Sequence, residues 1–330
     1  MEFLRTKHAR LWVIPLACCA AFFIVLAGLI PYSSSLGEIK RPLAGLILDL
    51  TQFGPTGSHN ATVDFSYCLF VPVVFAVMVF LRRREIAATR IRGSNLALVW
   101  ILLGMAVYWF GLRAENQYFG YAALQILLAG TILWFWGTEV FWILLFPWVF
   151  FFFAWPVPFL DPIVSFPLRM DMSTMAGHFL PALGVPTVQS GTALLSAPDA
   201  ARGLRLGDRF EIDIADPCSG IRSLFALLMF SALYGYLGLP RLWQQWVVFL
   251  SAFPLAIVGN LVRVLLLVFG SIWLGTAFAV GTSDNPSWFH EACGMAVYVV
   301  ALGAEFFLGW CLTRNWKGAP DQPADGHPAS

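Results

Sequence analysis

Charge is what this sequence has least of. Only 12% of its 330 residues are Asp, Glu, Lys or Arg, against about 25% in ordinary soluble domains. With 59% hydrophobic residues beside that deficit, a disordered chain is excluded. So is a water-exposed globular fold, whose interior at this length could not hide so many apolar side chains. Paired cysteines are missing too. Cys18, Cys19, Cys68, Cys218, Cys293 and Cys311 show no C-x-x-C spacing, so neither a zinc site nor a disulfide framework is signalled and no cofactor is expected. A net charge of +1 with no basic stripe gives no reason to expect nucleic acid. An internal repeat of the transporter kind is absent as well.

What is present is a series of long apolar runs, carrying most of the 30 Phe and 14 Trp. Read as helices of about 1.5 Å per residue across about 30 Å of hydrocarbon, they predict an all-α polytopic membrane protein. About eight transmembrane spans are expected, at 11–31, 65–81, 96–112, 118–136, 140–155, 221–237, 246–267 and 289–312. The first run follows basic residues. It is too long for a signal-peptide core of about 7–15 residues, so it reads as a retained span. The stretch 246–274 is too long for one upright helix, and its outer end is expected to bend or lie flat.

Short-loop charges orient the chain. With the N-terminus inside, Arg5, Lys7, Arg10, Arg82, Arg83, Arg84, Arg90, Arg92, Arg241, Arg314 and Lys317 fall inside, while short outer loops hold only Lys40, Arg41 and Arg113. Residues 32–64 are polar and lie outside. Residues 156–217 form a small extracytoplasmic insertion between spans five and six. Its first part, 161–184, reads as an amphipathic interfacial helix, and 185–214 reads as small strands. The tail, 313–330, is rich in Pro, Asp, Gly and Ala and reads as a disordered cytoplasmic extension.

Span counting brings three unusual residues to one depth: Cys218 at the outer start of span six, Arg263 toward the outer end of span seven, and His290 at the outer start of span eight. In Asp216-Pro217-Cys218-Ser219-Gly220-Ile221, Asp216 is a good N-cap and Pro217 suits the first helical position. Cys218 then stands in the first turn, where the positive end of the helix dipole favours thiolate. A charged residue such as Arg263 inside a span costs roughly 2.5–3.5 kcal/mol on insertion scales, so it calls for a role. Asn260, three residues back, shares its face. The plainer readings are an inert interfacial thiol, a snorkelling Arg263 and an interfacial imidazole. Arg222, four residues after Cys218, is a rival cation, and His178 and His59 are rival imidazoles. Glu291 is placed to orient His290 or pair with Arg263, whereas Glu305 has no evident partner. The other cysteines lie in runs expected to face lipid.

Cys218-Ser219-Gly220-Ile221, Asn260-x-x-Arg263 and His290-x-x-x-Gly294, in that order on an eight-span chain, resemble the exosortase/archaeosortase family of membrane-embedded transpeptidases. The resemblance covers roughly residues 65–312, and Trp155-Pro-Val-Pro158 is similar to a Pro-rich patch of the family. It implies a single transmembrane domain over 1–312, in the bacterial cytoplasmic (inner) membrane. Its active site would face the extracytoplasmic side, with Cys218 as nucleophile, His290 as acid/base and Arg263 as electrophilic partner. The implied partners are membrane lipids, an unknown acceptor, and secreted proteins ending in a short motif, a transmembrane helix and a basic cluster. The competing class is a non-enzymatic polytopic component of exopolysaccharide export, which would need no thiol. A lipid-linked sugar or acyl transferase is a third, but the outside carboxylates form no paired constellation.

Overall fold

The computed structural model describes residues 7–33, 40–51, 65–157, 159–160, 163–164, 166–214, 221–281 and 287–314. The chain divides into two compact units, residues 1–158 and 159–330. Four helices are long and apolar enough to cross a membrane, and a bent pair would make a fifth. The protein is therefore a polytopic helical membrane protein.

In the first unit, α1 (Lys7–Gly28) runs into a short antiparallel pair, β1 (Pro31–Ser33) and β2 (Lys40–Pro42), followed by α2 (Leu43–Asp49). A 3-10 turn, Ser66–Leu69, leads to α3 (Val71–Leu81), whose first turn holds Pro72. The missing N–H costs nothing there, because first-turn donors have no intrahelical acceptor. After the short α4 (Arg83–Ala88) come α5 (Leu96–Arg113) and α6 (Gln117–Phe135), which form an antiparallel pair. Asn116 caps α6 by accepting a hydrogen bond from Tyr118 N at 2.9 Å. Glycine sets how closely the pair approaches. A Cβ on Gly104 would lie 2.6 Å from Leu127 Cγ, and one on Gly130 would lie 2.8 Å from Ile101 Cγ1. Such close backbone approach is the usual substitute for a hydrophobic drive between helices in lipid.

The run expected as one straight span at 140–155 is instead broken into α7 (Gly137–Ile143) and α8 (Leu145–Phe150), with a final 3-10 turn to Ala154 and a 65° bend. Pro147 is the cause, since it has no N–H for the Ile143 carbonyl and the ladder fails at that step. The broken segment is fastened to α6 through one residue. Gln125 Nε2 donates to Trp148 O (2.6 Å), Trp148 Nε1 donates to Gln125 O (2.9 Å), and Trp155 Nε1 donates to Gln125 Oε1 (2.8 Å).

The second unit opens with α9 (Phe166–Ala182) and a three-stranded antiparallel sheet, β3 (Thr187–Ser190), β4 (Ala193–Ser196) and β5 (Glu211–Asp213). The strands expected within 185–214 are thus present. Then follow α10 (Ile221–Gly238), α11 (Leu242–Leu274), the short α12 (Thr276–Ala279) and α13 (Trp288–Arg314). The helix is not interrupted after residue 267. α11 is one helix of 33 residues, about 50 Å long at 1.5 Å per residue. Protein covers one face of its last third. Leu261, Val264, Leu267 and Val268 form one core with Met172 and Leu180 of α9 and with Leu194, Phe210 and Ile212 of the sheet region. The helix stops at Gly275, whose φ of +92° an L side chain rarely adopts.

Three apolar helices are shorter than a full span among the described residues: Cys19–Gly28, Ser66–Leu81 and Leu224–Gly238. The expectation that the remaining cysteines face lipid is corrected at two positions. Cys68 and Cys293 are buried in protein, each on a helix face turned toward neighbouring elements.

Candidate active site

The first turn of α13 is anchored by Ser287. Its Oγ accepts from His290 N at 3.1 Å and donates to Ala279 O at 2.9 Å, while Ser287 N donates to Val280 O at 3.1 Å. One residue therefore caps α13 and ties it to the end of α12, satisfying donors that a helix start leaves open. His290 follows three residues later and is only 4% exposed.

Gly294 lies one turn beyond His290 on the same face of α13. A Cβ there would fall 3.0 Å from Arg263 Cζ and 3.1 Å from its Nη2. The Arg263 guanidinium of α11 therefore lies directly against the backbone of α13, in the place a side chain would take. Its charge acts on both His290 and Cys293. Asn260, one turn before Arg263, is buried. Beside these groups is a cavity of about 30 Å³ that Leu227, Asn260, Arg263, Gly294 and Tyr298 help to line, enough for about one water. A guanidinium, an amide and a phenol from α11 and α13 thus line one small cavity, and the buried imidazole of His290 stands one turn from Gly294. A cation held beside an imidazole in such a place can steady a developing oxyanion while the imidazole moves a proton.

The fold brings together Arg263, Asn260 and His290 of the expected site. Cys218, Asp216 and Ser219 lie outside the described residues. Of Arg222 only the helical backbone of α10 is described. Glu291 is exposed, and among the described residues no ion pair joins it to Arg263. The rival imidazole His178 is exposed on α9, its Nδ1 2.6 Å from Thr174 O, and His59 lies outside the described residues. Three participants escaped the sequence reading. Ser287 carried a signal, a hydroxyl residue just before an apolar helix. Tyr298 and the placing of Cys293 one turn from His290 carried none, because they depend on which face of α13 meets α11.

A family model described as transmembrane exosortase matches residues 59–307. The chain belongs to the exosortase family. The match spans every motif residue from Cys218 to Gly294 and reaches into both compact units. Neither a curated protein nor a solved structure matches this exosortase.

Proposed function

We propose that this exosortase is a membrane-embedded cysteine transpeptidase or protease that removes C-terminal sorting tails from secreted proteins. The observation that carries the reading is the seating of Arg263 on Gly294, one turn from the buried His290. Two chemically demanding side chains from separate helices are brought to one place in a membrane chain, where unused charge is selected against. Cys218, three residues before Ile221 of α10, supplies the nucleophile.

The Cys218 thiol gives its proton to His290, and the thiolate so formed attacks the scissile carbonyl carbon. Arg263 donates hydrogen bonds to the oxyanion so formed. Collapse breaks the C–N bond, His290 returns the proton to the leaving amine, and a thioester remains on Cys218. Water or an acceptor amine, deprotonated by His290, then takes the acyl group and restores the thiol. Asn260, buried one turn before Arg263, supports the polar surroundings.

The reading includes eight spans in the cytoplasmic membrane, both termini inside, and residues 156–217 outside between spans five and six, with 1–312 acting as one functional domain. It rests on the excess of Lys and Arg in short inner loops. A periplasm-active reporter fused after Ala201 is expected to be active, and one after Ala87 silent; the reverse pattern would overturn the orientation. The deciding chemical experiment is Cys218→Ala, scored by the length of a co-produced secreted protein bearing a motif–helix–basic tail. Accumulation of the uncleaved protein is expected. Processing at the native rate would remove the cysteine mechanism and leave a non-enzymatic role.

A further inference from the structure

Glu305 stands on α13 with no exposed surface at all, and Ser231 of α10 is equally enclosed. Ser231 Oγ lies 2.5 Å from Glu305 Oε1 and 2.6 Å from the Leu227 carbonyl oxygen, four residues back along α10. A hydroxyl has a single proton to donate. It cannot serve two acceptors at such short range unless the second proton comes from the carboxyl. A neutral Glu305 supplies it: the carboxyl O–H donates to Ser231 Oγ, and the Ser231 O–H donates to Leu227 O. A separate feature agrees. Glu305 Oε2 is buried, with no hydrogen-bond partner among the described residues, and no ion pair there involves Glu305. A carboxylate would leave uncompensated charge in an apolar interior, far costlier than a neutral carbonyl. Aromatic contacts join the same two helices. Phe306 lies 5.2 Å from Phe230 and 4.7 Å from Tyr234, measured between ring centroids.

We propose that Glu305 is a positioning residue, held as a neutral acid, whose bond to Ser231 fixes the register of α10 against α13. α10 begins just after Cys218, and α13 carries His290, so this bond sets how the two reactive groups meet. That consequence rests on the function proposed above, whereas the bond itself does not.

The test uses the full-length protein in detergent for melting temperature and in membranes for processing of a tailed substrate. Glu305→Gln is expected to keep the melting temperature and to process within about threefold of native, because an amide N–H replaces the acid O–H. Glu305→Ala and Ser231→Ala are each expected to lower kcat about tenfold with KM little changed, from loss of one buried bond. The double variant should be no worse than the more damaged single, since the two side chains act as a unit. If Glu305→Ala does not fold, Ser231→Ala with Glu305→Leu supplies an apolar pair that should fold yet process poorly. Damage from Glu305→Gln equal to that from Glu305→Ala would overturn the neutral acid, and additive losses would overturn the clamp. The two failures are distinguishable. Should Cys218→Ala process normally while Gln and Ala at position 305 still differ in melting temperature, the catalytic reading fails and the bond stands. Should Cys218→Ala be inactive while they do not differ, the bond fails alone.

Discussion

In the first unit, Gly104 and Gly130 let a leucine and an isoleucine press against the facing helix; in the second, Gly294 leaves the same kind of space to a guanidinium. Buried polar groups divide in the same way. Among the described residues, those of the first unit are the uncharged Thr51, Gln117, Gln125 and Thr131, whereas the second buries, beside serines, Gln244 and Asn260, the titratable His290 and Glu305. Gln125 shows what the first kind does, since its bonds to Trp148 and Trp155 hold a broken segment in place. Of the second kind, Asn260 lines the cavity with Arg263, whereas Glu305 pairs with Ser231. Glycine in one unit secures contact between apolar helices; in the other it admits a cation, which an insertion cost of roughly 2.5–3.5 kcal/mol would otherwise select against.

The contrast breaks most sharply under substitution of the reactive groups. His290→Ala is expected to slow tail removal about 10²–10⁴-fold, the range of a lost general acid–base, with the melting temperature little changed. Arg263→Lys should fail nearly as badly, because a point charge does not reproduce the planar fork, while Arg222→Ala should reduce processing less. Substrate length on a gel, normalised to membrane-inserted enzyme, reads all three. Native processing in Arg263→Ala with none in Arg222→Ala would move the cation role to Arg222.

Alanine at two glycines sharpens the comparison. Gly294→Ala should lower processing about tenfold without lowering the melting temperature, because the new Cβ crowds Arg263 while alanine favours helix by about 1 kcal/mol. Gly104→Ala should do the opposite. Its Cβ meets Leu127 Cγ, so stability falls by about 1–3 kcal/mol from overpacking, while activity per folded molecule is kept. The same pattern in both variants would erase the distinction between the units. Gln125→Leu is expected to cost about 1–3 kcal/mol by stranding the Trp155 indole N–H and the Trp148 carbonyl oxygen, read by thermal unfolding in detergent. The smallest effect is Tyr32→Phe, about 0.5–1.5 kcal/mol, from the single bond of its hydroxyl to Tyr108 O at 3.0 Å.

Much of the site could be read early because its members break the surrounding pattern. Arg263 in an apolar run and His290 at a helix start stand out without any fold. The contacts of Glu305 did not, since its partner Ser231 is 74 residues away and looks like any small residue of an apolar helix. Cys293 was misread for a related reason: a run of apolar residues does not tell which side meets protein and which meets lipid. The bend after Ile143 was legible in principle from Pro147. The unbroken course of α11 was not, because its outer turns pack against α9 and the sheet.

Composition and run length by themselves determined that this chain enters a membrane, roughly where its helices lie, and which side chains are too costly to be there idly. Those are sums over neighbouring residues, and transfer free energy needs no knowledge of packing. Only the tertiary structure decided that Gly294 holds Arg263, that Ser287 ties α13 to α12, and that Glu305 bonds Ser231. Each joins residues on different elements, and which faces meet is set by the close packing of whole helices, a property no single stretch of sequence contains.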